Sequence, residues 1–178
     1  MRLVLSLSLA LFALPALCAT VRGPADIAAL TASADAVVHA RVVHRSSDWA
    51  GGTSKSGLIY TRVVLEPIEV WKGSAKAFVV RVPGGAAGDY DQIVQGTAHF
   101  EPGEEVVVYL RKLAPGIFDV SHWALGKFSI SAASPASGKR ALRDRAGLSC
   151  VGCGGDEADE LSLEELRTRT LRAAGGKQ

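Results

Sequence analysis

One stretch constrains the fold of this 178-residue chain more than any other, the run Gly57–Gly73 (GLIYTRVVLEPIEVWKG). It is the longest β-like pattern in the chain, and in its first half alternate positions share one face, namely Ile59, Thr61, Val63 and Leu65. The alternation then changes phase, because Ile68 and Val70 have the opposite parity. Pro67 lies at the change and cannot donate a hydrogen bond to a sheet, so it predicts a β-bulge that returns Ile68 and Val70 to the core side. A long strand that bends in this way is typical of a small, tightly curled barrel.

The other apolar runs are short and would pair with this strand. They predict further strands over residues 34–44, 78–82, 92–95, 105–111, 117–120 and 127–131, with two weak strands within 140–151. In the 105–111 strand, we expect an inward and an outward set of side chains: Val106, Val108 and Leu110 inward, Glu105, Tyr109 and Arg111 outward. Short strands at this spacing favour a mainly β, OB-like antiparallel barrel, closed or partly open, over repeated βαβ units.

Helices are predicted only at the two ends of the chain. The first covers residues 23–30, with Pro24 in its first turn and Asp26 near the positive end of its dipole. The second covers about 161–174. Its start combines capping-box spacing with a hydrophobic staple, at Ser162 and Glu165 and at Leu161 and Leu166 respectively.

Residues 1–19 have the layout of a secretory signal peptide. A positive Arg2 precedes an apolar and Ser stretch, and small residues follow up to Ala19. The stretch is shorter than the ~20 residues that a membrane-spanning helix needs. A lipid anchor at Cys18 is disfavoured, because a small residue should precede the modified cysteine and Leu17 stands there. We therefore expect residues 20–178 to form a single exported domain, periplasmic or extracellular, with no membrane span once the signal is removed.

The charge of the chain gives no argument for a polyanionic partner. The formal net charge is +2, and removing Arg2 with the signal peptide, which contains no acid, leaves +1. A near-neutral balance does not predict binding to nucleic acid or to an anionic membrane.

Cys150 and Cys153 form the sharpest local motif, a C-x-x-C pair. In an oxidising compartment the structural interpretation is a local disulfide, or two incidental cysteines. A redox dithiol would open a helix after a strand, whereas this pair follows weak strand signals. Half of a zinc site would need further ligands that the sequence does not supply at a suitable spacing. We favour the structural interpretation and keep the redox and metal alternatives open.

The sequence contains no recognisable catalytic or cofactor-binding motif. A nucleophile elbow, a dinucleotide fingerprint and a phosphate loop are all missing from it. The histidines are scattered, and the acidic residues near 101–105 and 156–160 lack the frame of a calcium loop. We therefore predict no catalytic residue, no metal ligand and no cofactor, which favours a protein that is not an enzyme.

Trp49 and Tyr90 are the candidate binding residues. Each lies in a predicted Gly-rich loop, Ser46–Gly57 for Trp49 and Pro83–Asp91 for Tyr90. A rigid aromatic side chain on a loop can anchor an interface, and binding loops commonly project from rigid scaffolds.

Five segments in order carry a resemblance to known proteins: ADAVV (34–38), YTRVVL (60–65), WKG (71–73), FVVRV (78–82) and FEPGEEVVVYL (100–110). They resemble a group of uncharacterised exported bacterial proteins, and their layout is similar to netrin-like domains, the OB-type barrel of the tissue inhibitors of metalloproteinases. The resemblance covers roughly residues 34–111 and implies such a barrel. Those inhibitors chelate the protease zinc through an N-terminal Cys. Here no Cys lies between Thr20 and Cys150, so no inhibitory residue carries over.

Together these observations predict an exported, non-catalytic β-barrel that binds an unknown protein or small ligand in the envelope or medium. One alternative is a metalloprotease inhibitor that acts through a loop. A second alternative is a C-x-x-C dithiol oxidoreductase. Fold alone does not decide among these functions.

Overall fold

The computed structural model describes residues 20–23, 25–54, 57–74, 77–132, 138–143, 145, 148–151 and 159–175. The predicted signal peptide lies outside these residues. Two α-helices are described, α1 (Ile27–Ser33) and α2 (Leu163–Gly175), with short 3-10 helices at Ala50–Gly52 and Trp123–Gly126. The strands, in chain order, are β1 (Thr20–Arg22), β2 (Ala36–Trp49), β3 (Ile59–Lys72), β4 (Phe78–Pro83), β5 (Gly85–Ala87), β6 (Tyr90–Gln92), β7 (Glu105–Ala114), β8 (Ile117–Val120), β9 (Lys127–Ala132), β10 (Lys139–Arg143), β11 (Ser149–Val151) and β12 (Glu160–Ser162).

Five strands close into a barrel. Hydrogen-bonded neighbours run in the order β2, β3, β4, β8, β7 and back to β2. The predicted mainly β, OB-like barrel with a helix near each end is therefore confirmed. One pairing departs from a fully antiparallel arrangement, because β4 and β8 run parallel. Beyond the ring, β9, β10 and β12 extend the sheet outward from β7.

The long strand β3 bends where its sequence predicts. Ala40 of β2 pairs with Pro67, whereas the preceding His39 pairs with Glu69, so Ile68 is an extra residue on β3. Val70 packs against the barrel interior, as expected. Ile68 does not, because it is the bulged residue itself, and 52% of its surface is exposed.

The predicted loop Ser46–Gly57 is shorter than expected. β2 continues to Trp49 and pairs with β3 as far as Ile59. The serines fit this strand because the hydroxyl groups of Ser47 and Thr61 lie 2.8 Å apart across the pair. The turn therefore begins at Ala50, and the two strands form a long hairpin.

The molecule has two apolar cores, one inside the barrel and one outside it. The interior core is built from inward side chains such as Val38, Phe78 and Val106. The exterior core lies between the barrel and the helices, and its members include Val37, Trp71, Val107, Tyr109, Phe128 and Leu166. Tyr109 does face outward, as predicted, but it is fully buried because α2 covers it. We call the outward barrel residues Val37, Trp71, Val107 and Tyr109, together with Phe128 of the adjoining strand β9, the covered wall.

Both helices start later than predicted. α1 begins at Ile27, and Asp26 caps it by accepting a hydrogen bond of 2.7 Å from the Ala29 N–H. α2 begins at Leu163, because the preceding residues pair with β10 as strand β12. Ser162 still caps α2, since its hydroxyl accepts a hydrogen bond from the Glu165 N–H at 3.1 Å. Both staple leucines are buried in the exterior core.

Candidate functional site

Trp49 and Tyr90 lie side by side at one end of the barrel. Their ring centroids are 5.3 Å apart, and the rings meet edge to face. The predicted loop Pro83–Asp91 is in fact a small hairpin of β5 and β6, and residues 93–95 are not the strand that the sequence predicts. Tyr90 is 64% exposed, whereas Trp49 is half-buried. The two rings pack against each other. Neither of them lines the cleft beside β8.

The C-x-x-C pair falls mainly outside the described residues. The backbone of Cys150 belongs to β11, where it aligns with Val21 of the parallel strand β1. Cys153 is not among the described residues. The disulfide therefore stays a prediction.

The most site-like feature is a cleft of about 460 Å³ beside β8, which we call the outer cleft. It lies between the end of α1, the start of β3, the end of β4 and the turn that follows β8. Its lining combines polar and apolar side chains, among them Tyr60, Arg81, Leu113, Asp119, His122 and Trp123. This volume falls in the range of about 300–1,000 Å³ that is usual for small-molecule sites.

A strained turn forms one rim of the outer cleft. His122 and Trp123 have φ angles of 56° and 59°, a left-handed conformation that bulky residues rarely adopt. Such strain costs of order 1–3 kcal/mol per residue and persists only where the surroundings enforce it. Here Ser121 donates its N–H to Tyr109 at 2.8 Å, and Ala124 donates to Gly96 at 3.0 Å. The turn therefore holds Trp123 in place with 47% of its surface exposed.

His122 contacts two hydroxyl groups in the outer cleft. Its Nδ1 lies 3.0 Å from Ser121 Oγ and 3.4 Å from Ser33 Oγ. Burial, and to a lesser extent the Arg111 guanidinium, lower the pKa of His122, so the ring is neutral at neutral pH. A catalytic triad would need a carboxylate on the nitrogen opposite the serine. Among the residues that the structure describes, His122 has no carboxylate partner.

The cationic groups of the outer cleft differ in how they are paired. Arg111 donates two hydrogen bonds to the Asp119 carboxylate, one of them 3.1 Å long from Nε to Oδ1. This contact raises the pKa of Arg111 and compensates the charge of Asp119. Arg81 instead lies over the Tyr60 ring, 4.7 Å from its centroid. No carboxylate within the described ranges pairs with Arg81.

A second cavity of about 380 Å³ lies under the β5–β6 hairpin, and its polar groups are largely satisfied. Arg45 donates to the Phe100 carbonyl and to Glu101, both at 3.0 Å. The Gln92 amide bridges the Ile59 N–H and the Gly57 carbonyl. These side chains are already engaged within the protein, so the outer cleft is the better candidate.

The histidines and acids do not converge on a metal site within the described part of the chain, where no group of three or more possible ligands is found. His39 lies 2.7 Å from Glu105, and His99 lies 2.5 Å from Glu101. These are separate pairs: the first joins β2 to β7, and the second lies in the segment between β6 and β7.

Sequence reasoning did not single out the outer cleft. His122 and Trp123 are adjacent in the sequence, but nothing there indicates left-handed backbone angles at non-glycine residues. Arg81 has the outward parity of its strand, which is the expected pattern for a solvated side chain. Its position over Tyr60 follows from the β3–β4 register, which pairs Tyr60 with Pro83.

No model of a known protein family matches the chain, and no curated protein matches it either. Among the described residues, the helices are too short or too polar to cross a membrane.

Proposed function

We propose that this protein is an exported, non-catalytic binding module that takes a small molecule in the outer cleft. The observation that carries the proposal is the strained turn, which holds a half-exposed Trp123 over a cleft of ligand size. Strained residues persist where function benefits from a fixed geometry, and a rigid aromatic group provides contact area at low entropic cost.

The polar groups of the cleft support binding more than catalysis. His122 is a weak base because burial lowers its pKa, and no acid among the described residues orients its ring. Asp119 is engaged by Arg111. The remaining donors and apolar surfaces suit recognition of a ligand, which needs only a few placed polar groups.

The site of the proposal therefore differs from the one that the sequence predicts. The rings of Trp49 and Tyr90 pack against each other at the end of the hairpin. Trp123 has no ring partner among the described residues and lines the cleft. The inhibitor and dithiol alternatives stay predictions, and the second depends on Cys153, outside the described residues.

The test is a thermal-shift screen of a small-molecule library against the wild type, Trp123→Ala and the matched control Trp49→Ala. We expect compounds that raise the melting temperature of the wild type and of Trp49→Ala but not that of Trp123→Ala. Mass spectrometry after long incubation should recover each compound unchanged. Hits that depend on Trp49 instead would move the site to the hairpin, and consumption of a hit would make the protein an enzyme.

Export is tested separately. Cell fractionation, with the mass of the mature protein, should give a chain that begins near Thr20 outside the cytoplasm. A cytoplasmic chain that retains its first 19 residues would contradict this part of the proposal.

A further inference from the structure

Two arginines stand opposite each other on the exposed outer face of the barrel. The β3–β4 register pairs Arg62 with Arg81, and both side chains are exposed. Like charges directly opposite each other on neighbouring strands destabilise a sheet. Neither arginine has a carboxylate partner in the portion of the chain that the structure describes. The pair therefore concentrates uncompensated positive charge.

Only one of these arginines reaches the outer cleft. Arg81 lines it, whereas Arg62 does not. The guanidinium carbon of Arg81 lies over the Tyr60 ring in a cation–π contact. This contact does not engage the N–H groups as hydrogen-bond donors, and the guanidinium fork matches a carboxylate or phosphate in a two-point contact. Arg81 is thus positioned to bind an oxyanion.

The charges and the apolar surfaces of the cleft are compatible with such a ligand. Asp119 would repel an anion, but the two hydrogen bonds from Arg111 compensate it. Since His122 is neutral at neutral pH, Arg81 leaves the cleft with a net positive charge. Leu113 and Trp123 provide exposed apolar surface in the same cleft.

We infer that the ligand is a small amphipathic molecule with one oxyanion, a carboxylate or a phosphate, bound by Arg81, and with an apolar or aromatic body against Trp123 and Leu113. This inference depends on the proposed function, because it names the ligand class of the same cleft. It also assigns Arg81 as the residue that selects anions.

The experiment uses three probes that share one ring system: 2-naphthoate, 2-naphthyl phosphate and the uncharged 2-naphthamide. Isothermal titration of the wild type should show that at least one anion binds about tenfold or more tightly than the amide, because hydrogen bonds to charged groups are the strong ones. The ratio of the affinities for the two anions distinguishes a carboxylate ligand from a phosphate ligand.

Variants of the arginine pair provide the matched control. Arg81→Gln should lower the affinity for the preferred anion about tenfold or more, to that of the amide. Arg62→Gln removes the same charge from the neighbouring strand. It should lower the affinity for the anion less than about threefold, because Arg62 lies outside the cleft and solvent and salt screen its charge. Arg81→Lys keeps the charge but not the planar fork, so its affinity for the anion should lie between that of Arg81→Gln and that of the wild type.

Two results would overturn the inference and leave the cleft as a binding site: equal affinity for the amide and the anions, or equal losses in Arg81→Gln and Arg62→Gln. If none of the three probes binds while library hits still depend on Trp123, the oxyanion inference fails alone. If no compound of any kind binds in a manner that depends on Trp123, the proposed function fails with it.

Discussion

The outer surface of the barrel has two walls that are built differently. On the covered wall, outward side chains such as Trp71, Tyr109 and Phe128 are buried beneath the helices. On the other side, the outward residues of β3 and β4 are half-buried or exposed, and we call this set the open wall: Tyr60, Arg62, Val64, Val79 and Arg81. One barrel therefore presents an apolar exterior to its own helices and a cationic, aromatic exterior to solvent.

We propose that this difference separates stability from function. Burial of apolar surface is the main stabilising term in a small domain, and the covered wall adds a second core to the one inside the barrel. The open wall has a pair of opposed arginines and borders the strained turn at His122 and Trp123, both of which cost stability. Features that cost stability persist at functional sites, which is why we assign binding to the open wall and its cleft.

The largest expected effect tests whether the covered wall is a true core. Leu166→Ala removes a fully buried side chain of α2 and should lower the free energy of unfolding by about 2–5 kcal/mol. Leu113→Ala, at the cleft beside the open wall, removes a side chain that is 40% exposed and should cost less than about 1 kcal/mol. Urea denaturation followed by circular dichroism measures both.

Leu171→Ala is the control for helix propensity, because Leu171 lies on the same helix and is 37% exposed. Its loss of unfolding free energy should resemble that of Leu113→Ala. Similar losses in Leu166→Ala and Leu113→Ala would mean that the helix does not cover the wall in solution.

The same contrast explains how far the sequence predicts the structure. Alternation identifies the interior core and the bulge beside Pro67, and capping-box spacing identifies the cap at Ser162, because each depends on residues near one another in the chain. For Tyr109, alternation predicts only that the side chain faces outward. Its burial depends on α2, which begins more than 50 residues after Tyr109 in the chain. The outer cleft was missed for the same reason: Tyr60, Arg81 and Trp123 meet only once the barrel closes.

The second prediction concerns the turn that forms the rim of the outer cleft. A Cβ atom added at Gly126 would overlap the backbone carbonyl oxygen of Ser121, so Gly126→Ala forces the turn to open. We expect a loss of about 1–3 kcal/mol in unfolding free energy, as for other overpacked sites, together with weaker binding in the cleft. Gly175→Ala is the control, since a Cβ there meets no atom within 4 Å. A stable Gly126→Ala protein with unchanged ligand binding would show that the rim is not rigid.

The third prediction compares a buried hydroxyl with one on the open wall. The Tyr109 hydroxyl lies 2.6 Å from Thr170 Oγ1 in a buried contact between β7 and α2. Tyr109→Phe should therefore cost about 1 kcal/mol of unfolding free energy. Tyr60→Phe should change stability by less than about 0.5 kcal/mol, because the Tyr60 side chain is only half-buried. The reverse order, measured by the same urea titrations, would contradict the division into two walls.

The smallest expected effect is a pH dependence that originates beside the covered wall. Arg167 of α2 donates to Glu69 of β3 through Nε at 3.0 Å and Nη2 at 2.6 Å. These hydrogen bonds, with a further one from Trp71, lower the pKa of Glu69. At Glu105 burial raises the pKa, but hydrogen bonds from Lys139 and His39 outweigh it and lower the pKa overall. Both carboxylates therefore stabilise the fold above their unfolded pKa of about 4.3, and this stabilisation is lost as the pH falls through the folded values.

Arg167→Gln should flatten this acid dependence without abolishing it, because Glu105 keeps its partners. Since Glu69 is 40% exposed, solvent and salt screen the pair, so the change should be smaller than those of Leu166→Ala, Gly126→Ala and Tyr109→Phe. The measurement is the urea midpoint between pH 7 and pH 3 at low ionic strength. Arg62→Gln, which removes an arginine from the open wall, should leave the slope below pH 4.5 as it is in the wild type. If Arg62→Gln flattens the slope as much as Arg167→Gln does, the acid sensitivity reflects overall charge and not the contact between α2 and β3.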